Sequence, residues 1–130
     1  MSWVSVLAGF FVAHMVGDYL LQTDWQARHK LGGLGRDPVA RRALLAHVAT
    51  YTLAFVPAFI WIGDELGVGW AVLTAALVAV PHLVIDDGRI VAAYLARVKH
   101  AEVDPRIAGP VDQSFHALSL CVVALLVGAA

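Results

Sequence analysis

Seven ionisable side chains lie inside otherwise apolar stretches of this 130-residue chain: His14 and Asp18, then His47, then His82 and Asp86, then Asp112 and His116. Three of the four stretches carry their pair at i, i+4, a spacing that puts both side chains on one helix face and aims them at one spot. Imidazole and carboxylate are donors that suit zinc, manganese or non-haem iron. The set therefore points to a divalent metal, zinc first, with His14, Asp18, His47, His82, Asp86, Asp112 and His116 as candidate ligands. Seven donors exceed the needs of one tetrahedral zinc. The surplus serves a second ion, or it leaves Asp18, Asp86 and Asp112 to orient the histidines and act as general base. An Asp at the centre of a membrane helix costs about 2.5–3.5 kcal/mol, so three gathered carboxylates must be protonated, paired with His⁺ or metal-bound. A metal-free hydrogen-bonded or proton-relay cluster is the competing reading.

The elements that must position these residues follow from composition. The chain is 60% hydrophobic and only 15% charged, against about 25% charged in ordinary soluble domains. Nine Lys and Arg with ten Asp and Glu cannot cover a soluble domain of this length. A soluble globule, a disordered chain and a nucleic-acid binder are excluded on that ground. The apolar stretches, about 3–22, 43–62, 70–88 and 111–130, are each close to the length an α-helix needs to cross a bilayer. The expected fold is an all-α four-transmembrane-helix bundle, one integral membrane domain over residues 1–130. The first stretch reads as a retained span, because no basic residue precedes it and it carries His14 and Asp18.

Orientation comes from Lys and Arg, which stay on the cytoplasmic side of short loops. Arg28, Lys30, Arg36, Arg41 and Arg42 lie between the first two spans, and Arg89, Arg97, Lys99 and Arg106 between the last two. The connection between spans two and three holds only Asp64 and Glu65. Both termini are therefore expected on the non-cytoplasmic side of the cell's inner membrane. At ~1.5 Å per residue, Asp18 and His47 then lie roughly 6 Å in from the cytoplasmic ends, His82 and His116 roughly 8–10 Å and His14 roughly 12 Å, with Asp86 and Asp112 nearer the surface. All seven share one cytoplasmic-side layer, although the helices alternate in direction.

The connections carry their own signals. Asp37-Pro38 reads as an N-cap followed by Pro at the first helical position, and residues 89–101 read as a cytoplasmic extension of the third helix or an interfacial helix, ended by Asp104-Pro105. His29 and His100 fall in basic loops and read as solvated. Asp87 and Arg89 form either an exposed pair or part of the site mouth. Gln22 and Gln113, beside Asp18 and Asp112, hold ligands or make interface hydrogen bonds. The single Cys121 excludes an internal disulfide and any Cys-based metal motif.

The strings His14-Met-Val-Gly-Asp18-Tyr-Leu-Leu-Gln22-Thr-Asp-Trp25, Leu44-Leu-Ala-His47, His82-Leu-Val-Ile-Asp86 and Asp112-Gln-Ser-Phe-His116 resemble the motifs of DUF3307, a domain-of-unknown-function family of small bacterial and phage integral membrane proteins. The resemblance covers nearly the whole chain. It implies a four-helix membrane protein with those His and Asp positions as signature residues, and it brings no established activity. After the third motif the pattern has an aromatic residue and then Lys, where this chain has Asp87 and Arg89. A looser likeness in architecture to small inner-membrane proteins taken to be metal-dependent hydrolases raises the same chemistry by analogy.

Three functions compete. A membrane-embedded metal-dependent hydrolase would use the histidines as ligands and Asp18, Asp86 and Asp112 as catalytic carboxylates. Its substrate would be a lipid or phosphate-bearing molecule drawn from the cytoplasmic side past Arg41, Arg42, Arg89 and Lys99. A metal-ion or proton transporter needs a polar path, and the outer half of every span lacks an ionisable side chain. A metal- or haem-stabilised scaffold is the third. Small residues such as Gly9, Gly17, Ala71, Ala75 and Ala79 would let helices approach closely within one chain or between the copies of a homo-oligomer.

Overall fold

The computed structural model describes all 130 residues. Its regular structure is entirely helical, as expected. Helix α1 (Trp3–Met15) runs into a π-helical turn, Val16–Leu20; α2 spans Asp24–His29, α3 Pro38–Ala54, α4 Val56–Leu66, α5 Val68–Asp86, α6 Arg89–Arg97 and α7 Pro105–Gly128. Three segments are long and apolar enough to cross a membrane: α1 with its π turn, α5 and α7. The bent pair α3 and α4 makes a fourth crossing when taken as one span. In this element order the chain ends and the α4–α5 turn lie at one end of the bundle, and α2, α6 and their loops lie at the other. That second end holds all nine Lys and Arg and is called the basic end below.

Several boundaries differ from the sequence expectation, each for a local reason. The second span is two helices meeting at Phe55 with a bend of 53°. Pro57, near the start of α4, has no N–H to donate back and its ring crowds the preceding turn, which favours a bend there. Residues 89–101 do not extend α5: Gly88 adopts φ 82°, a left-handed conformation that stops one helix and lets α6 start in a new direction. The fourth span begins at Pro105, six residues before the expected 111, because Asp104 caps it by accepting from the Arg106 N–H at 2.8 Å. The Arg106 guanidinium beside it also holds the Asp104 carboxyl below the usual carboxylate range. Helix α2 was not foreseen, although Thr23 and Gln26 form a reciprocal capping box before it. The cap at Asp37 is as expected, with its carboxylate accepting from the Val39 N–H at 2.8 Å.

The surface is apolar and the interior small. Only 27 of 130 residues are buried, while Val12, Leu20, Leu53, Val72, Val80 and Leu118 point outward; such outward faces suit hydrocarbon rather than water. The main apolar core, with Val6, Phe10, Phe55, Ile62, Val78, Val123 and Val127, fills the half of the bundle away from the basic end. A small second core of Ile85, Val91 and Leu95 lies near the basic end. The His and Asp residues occupy the layer between the two.

At the far end α1 meets α7 almost backbone to backbone. A Cβ added to Gly128 would fall 2.5 Å from the Trp3 Cβ and 2.8 Å from its Cα, so neither side can yield by a rotamer change. Gly128→Ala is expected to part the two helix ends and destabilise the protein by about 1–3 kcal/mol. Thermal unfolding in detergent measures this, and an unchanged midpoint would contradict it.

Candidate metal centre

Helix spacing brings each pair onto the bundle interior. His14 lies in the last turn of α1 and Asp18 in the π turn, whose backbone closes through the Leu21 N–H to the Val16 carbonyl at 2.9 Å; wide turns of this kind are frequent at functional sites. His47 and Tyr51 lie one turn apart on α3, His82 and Asp86 on α5, and Asp112 and His116 on α7. The structure brings all seven expected residues into one contiguous cluster. His14, His47, His82, Asp86 and His116 are buried, and the Asp18 side chain retains only 6% of its surface. Asp86 is the last residue of α5, at the basic end, and it is 1% exposed because the loop after α2 folds over it, with Lys30 on its carboxylate and the Gly32 N–H on the next carbonyl.

Asp86 is the hub. Its Oδ2 lies 2.8 Å from His47 Nε2 and 3.2 Å from His82 Nε2, and its Oδ1 lies 3.1 Å from His116 Nε2. The Nε2 atoms of His47 and His82 are 3.0 Å apart. Asp18 Oδ1 faces the same pair, 3.3 Å from His47 Nε2 and 3.6 Å from His82 Nε2. His47 Nε2, His82 Nε2 and Asp86 Oδ2 thus lie within 3.2 Å of one another, with Asp18 Oδ1 beside the two imidazoles; neighbouring ligands on a tetrahedral zinc stand about 3.3–3.4 Å apart.

The supporting contacts leave one atom over. His14 donates from Nε2 to Gln113 Oε1 at 2.9 Å, and its Nδ1 accepts from the Tyr51 hydroxyl at 3.1 Å. The Gln113 amide nitrogen in turn donates to Asp18 Oδ2 at 3.3 Å and reaches Asp112 Oδ2 at 3.4 Å. Asp18 Oδ2 is therefore satisfied, while Asp18 Oδ1 is buried without a hydrogen-bond partner and aims at the two imidazoles. A carboxylate oxygen left so in a low-dielectric layer needs a cation or a proton. The donor types, their spacing and this orphan atom all fit a divalent ion.

Three His and Asp groupings are close enough to hold an ion through one ligand atom each: the His47, His82 and Asp86 set already described; His14, Asp18 and His82; and Asp86, Asp112 and His116. In the last, His116 Nε2 lies 3.5 Å from Asp112 Oδ2. The Tyr51 ring stacks on His82 with centroids 3.4 Å apart and planes 7° from parallel, which fixes the imidazole's orientation.

Two participants carry little or no signal in the sequence. Tyr51 was missed, although it follows His47 by four residues on an apolar face. Lys30 was read only as a charge that orients the chain, yet its Nζ donates to Asp86 Oδ2 at 2.8 Å. Gln22, whose amide nitrogen is 3.1 Å from His47 Nε2 and 3.2 Å from its Nδ1, and Gln113, which bonds His14 and Asp18, make hydrogen bonds between helices to residues of the cluster. Asp87 is buried. Its carbonyl and carboxylate accept from the Gly32 and Leu34 N–H groups at 2.9 and 2.7 Å, and it pairs with Arg89 at 3.2 Å. This ties the Lys30 loop across the end of α5. His29 and His100 are exposed, as expected.

The cluster has an open side and a closed one. Toward the basic end lies a chamber of about 430 Å³ whose wall includes Asp86, Asp112, Lys30 and Arg89 among apolar Leu31, Val91, Val103 and Ala108. Toward the other end Phe10, Phe55, Val78, Leu120 and Ala124 close the bundle.

These features define a class: an all-α bundle of apolar, membrane-length helices around a buried His and Asp cluster. Residues 6–130 match the family model described as "Protein of unknown function (DUF3307)", and the chain belongs to that family. No curated protein and no solved structure matches it.

Proposed function

We propose that the protein is a multi-pass protein of the inner membrane that binds a divalent metal, zinc first with manganese or iron as alternatives, and acts as a metal-dependent hydrolase. Its basic end faces the cytoplasm and both termini lie outside, in keeping with the confinement of Lys and Arg to one end. Asp18, His47, His82 and Asp86 are the ligands, and the orphan Asp18 Oδ1 is the observation behind that assignment. His14, Tyr51, Gln22 and Gln113 orient them, much as carboxylates and amides hold ligands elsewhere. When bound, such an ion brings the pKa of a water toward neutrality and polarises a phosphoryl or carbonyl oxygen.

The observation that carries hydrolysis over transport is the one-sided opening: a chamber meets the cluster at the basic end, and packed aromatic and aliphatic side chains seal the other. Asp112, at the chamber wall with its side chain 26% exposed, is placed to exchange protons with a substrate or water. Apolar walls with Lys30 and Arg89 suit an amphipathic, phosphate-bearing molecule.

The test is hydrolysis of a phospholipid and of a soluble phosphate ester in mixed micelles. Activity is expected to vanish on chelation, return with zinc or manganese, and fall about 100-fold in Asp112→Asn with metal content retained. A metal-loaded protein without hydrolysis of either would leave the scaffold reading. Ion flux in liposomes that Asp18→Asn abolishes would replace hydrolysis with transport.

A further inference from the structure

We propose that the cluster holds one divalent cation at a time in either of two positions, and that the ion is loaded through the outer one. The inner position is the Asp18, His47, His82 and Asp86 set, so the inference rests on that assignment. The outer position is formed by Asp86 Oδ1, Asp112 Oδ2 and His116 Nε2, with His116 Nε2 3.1 Å from the first and 3.5 Å from the second. Asp86 serves both, with Oδ2 touching His47 and His82 as well as Lys30, and Oδ1 touching His116. Of the seven clustered residues only Asp112 and Asp86 line the chamber, so an ion arriving from that side meets the outer donors first.

Exclusivity follows from counting protons. His82 Nδ1 and His116 Nδ1 are 3.2 Å apart and buried, a hydrogen-bond separation that accommodates one proton. A neutral imidazole carries one N–H, and a nitrogen that binds metal must be bare. With the ion inside, His82 binds through Nε2 and donates from Nδ1 to His116 Nδ1. The His116 proton is then on Nε2, directed at Asp86 and Asp112, and the outer position is closed to a cation. With the ion outside, the pattern reverses and His82 Nε2 carries the proton among the inner donors. Two ions at once would force two N–H groups against each other across the 3.2 Å contact. Tyr51, stacked on His82, keeps that ring from tilting out of its plane.

Inward passage is therefore an exchange. As the ion moves from His116 Nε2 to His82 Nε2, the His116 Nδ1 proton passes to His82 Nδ1. The proton displaced from His82 Nε2 is matched by one gained at His116 Nε2, and Asp86 touches both atoms, at 3.2 and 3.1 Å. No co-reactant is needed.

Zinc titration of the detergent-purified full chain, read by elemental analysis and by the rate of loading, tests this. The wild type is expected to saturate at one ion per chain. Asp18→Asn and His47→Gln, which damage only the inner set, should each still carry one ion, held about 100-fold more weakly. Asp112→Asn should reach one ion with affinity close to wild type, but load about tenfold more slowly once the chamber loses its carboxylate. Circular dichroism shows whether each variant folds, and one folded inner-set variant suffices. Two ions in the wild type, no ion in a folded inner-set variant, or unchanged loading in Asp112→Asn would overturn the proposal while leaving the inner site standing. No ion in the wild type would instead overturn the metal-binding reading itself.

Discussion

Asp86→Asn is expected to empty the protein of metal and to destabilise it strongly, although the substitution keeps the shape of the side chain. The carboxylate contacts the reactive nitrogens of three histidines on three helices and the Lys30 ammonium, so removing its charge disarms the centre and strands a cation. The Lys30 side chain is only 15% exposed, and a buried ion pair that loses one partner typically costs about 3–5 kcal/mol. The two effects separate in a double variant. Asp86→Asn with Lys30→Met should recover much of the lost stability and none of the metal. Elemental analysis and thermal unfolding in the same detergent read both, and wild-type metal content in Asp86→Asn would remove Asp86 from the ligand set.

Gly17→Ala has the second largest expected effect, through packing rather than charge. A Cβ at Gly17 would lie 2.6 Å from Tyr51 Cδ2 and 3.2 Å from Tyr51 Cα. The ring cannot swing aside freely, since it is stacked on His82 and its hydroxyl holds His14. Either Tyr51 leaves the site or the π turn and α3 move apart, and overpacking of this kind costs about 1–3 kcal/mol. Metal affinity should fall with stability, because Asp18 is the next residue in the turn. Tyr51→Ala in the Gly17→Ala background makes room for the methyl group and should restore part of the stability. If Gly17→Ala binds metal and melts like wild type, the close approach of the π turn to α3 is wrong.

What could be read from the sequence was whatever depends on residue type at helical spacing. His14 with Asp18, His82 with Asp86 and Asp112 with His116 announce themselves because an i, i+4 pair of polar groups in an apolar run has few structural explanations. Their shared depth followed from the distribution of Lys and Arg, and the structure puts them in one layer. Less was legible where a residue's role depends on a distant partner. Tyr51 looks like any aromatic residue of an apolar helix until α5 brings His82 beneath it. Lys30 looks like a topogenic charge until the α2 loop, held by Asp87, carries it back to Asp86. The break at Phe55 was readable in principle, since Pro57 stands in mid-stretch, but apolarity alone made 43–62 look continuous. The burial of Asp86 was not legible because a count along one helix gives its depth and cannot include a loop that folds over its end.

The elbow at Phe55 also bears on how such a protein lives in membranes of unequal thickness. A straight helix that is too long or too short for its bilayer must tilt as a whole, and a tilt of α3 would drag His47 and Tyr51 away from His82. With the span divided, the angle of α4 is set by its own packing on α5 and not by the direction of α3. The layer that holds His47 and Tyr51 is thereby separated by the elbow from the half of the span that α4 forms.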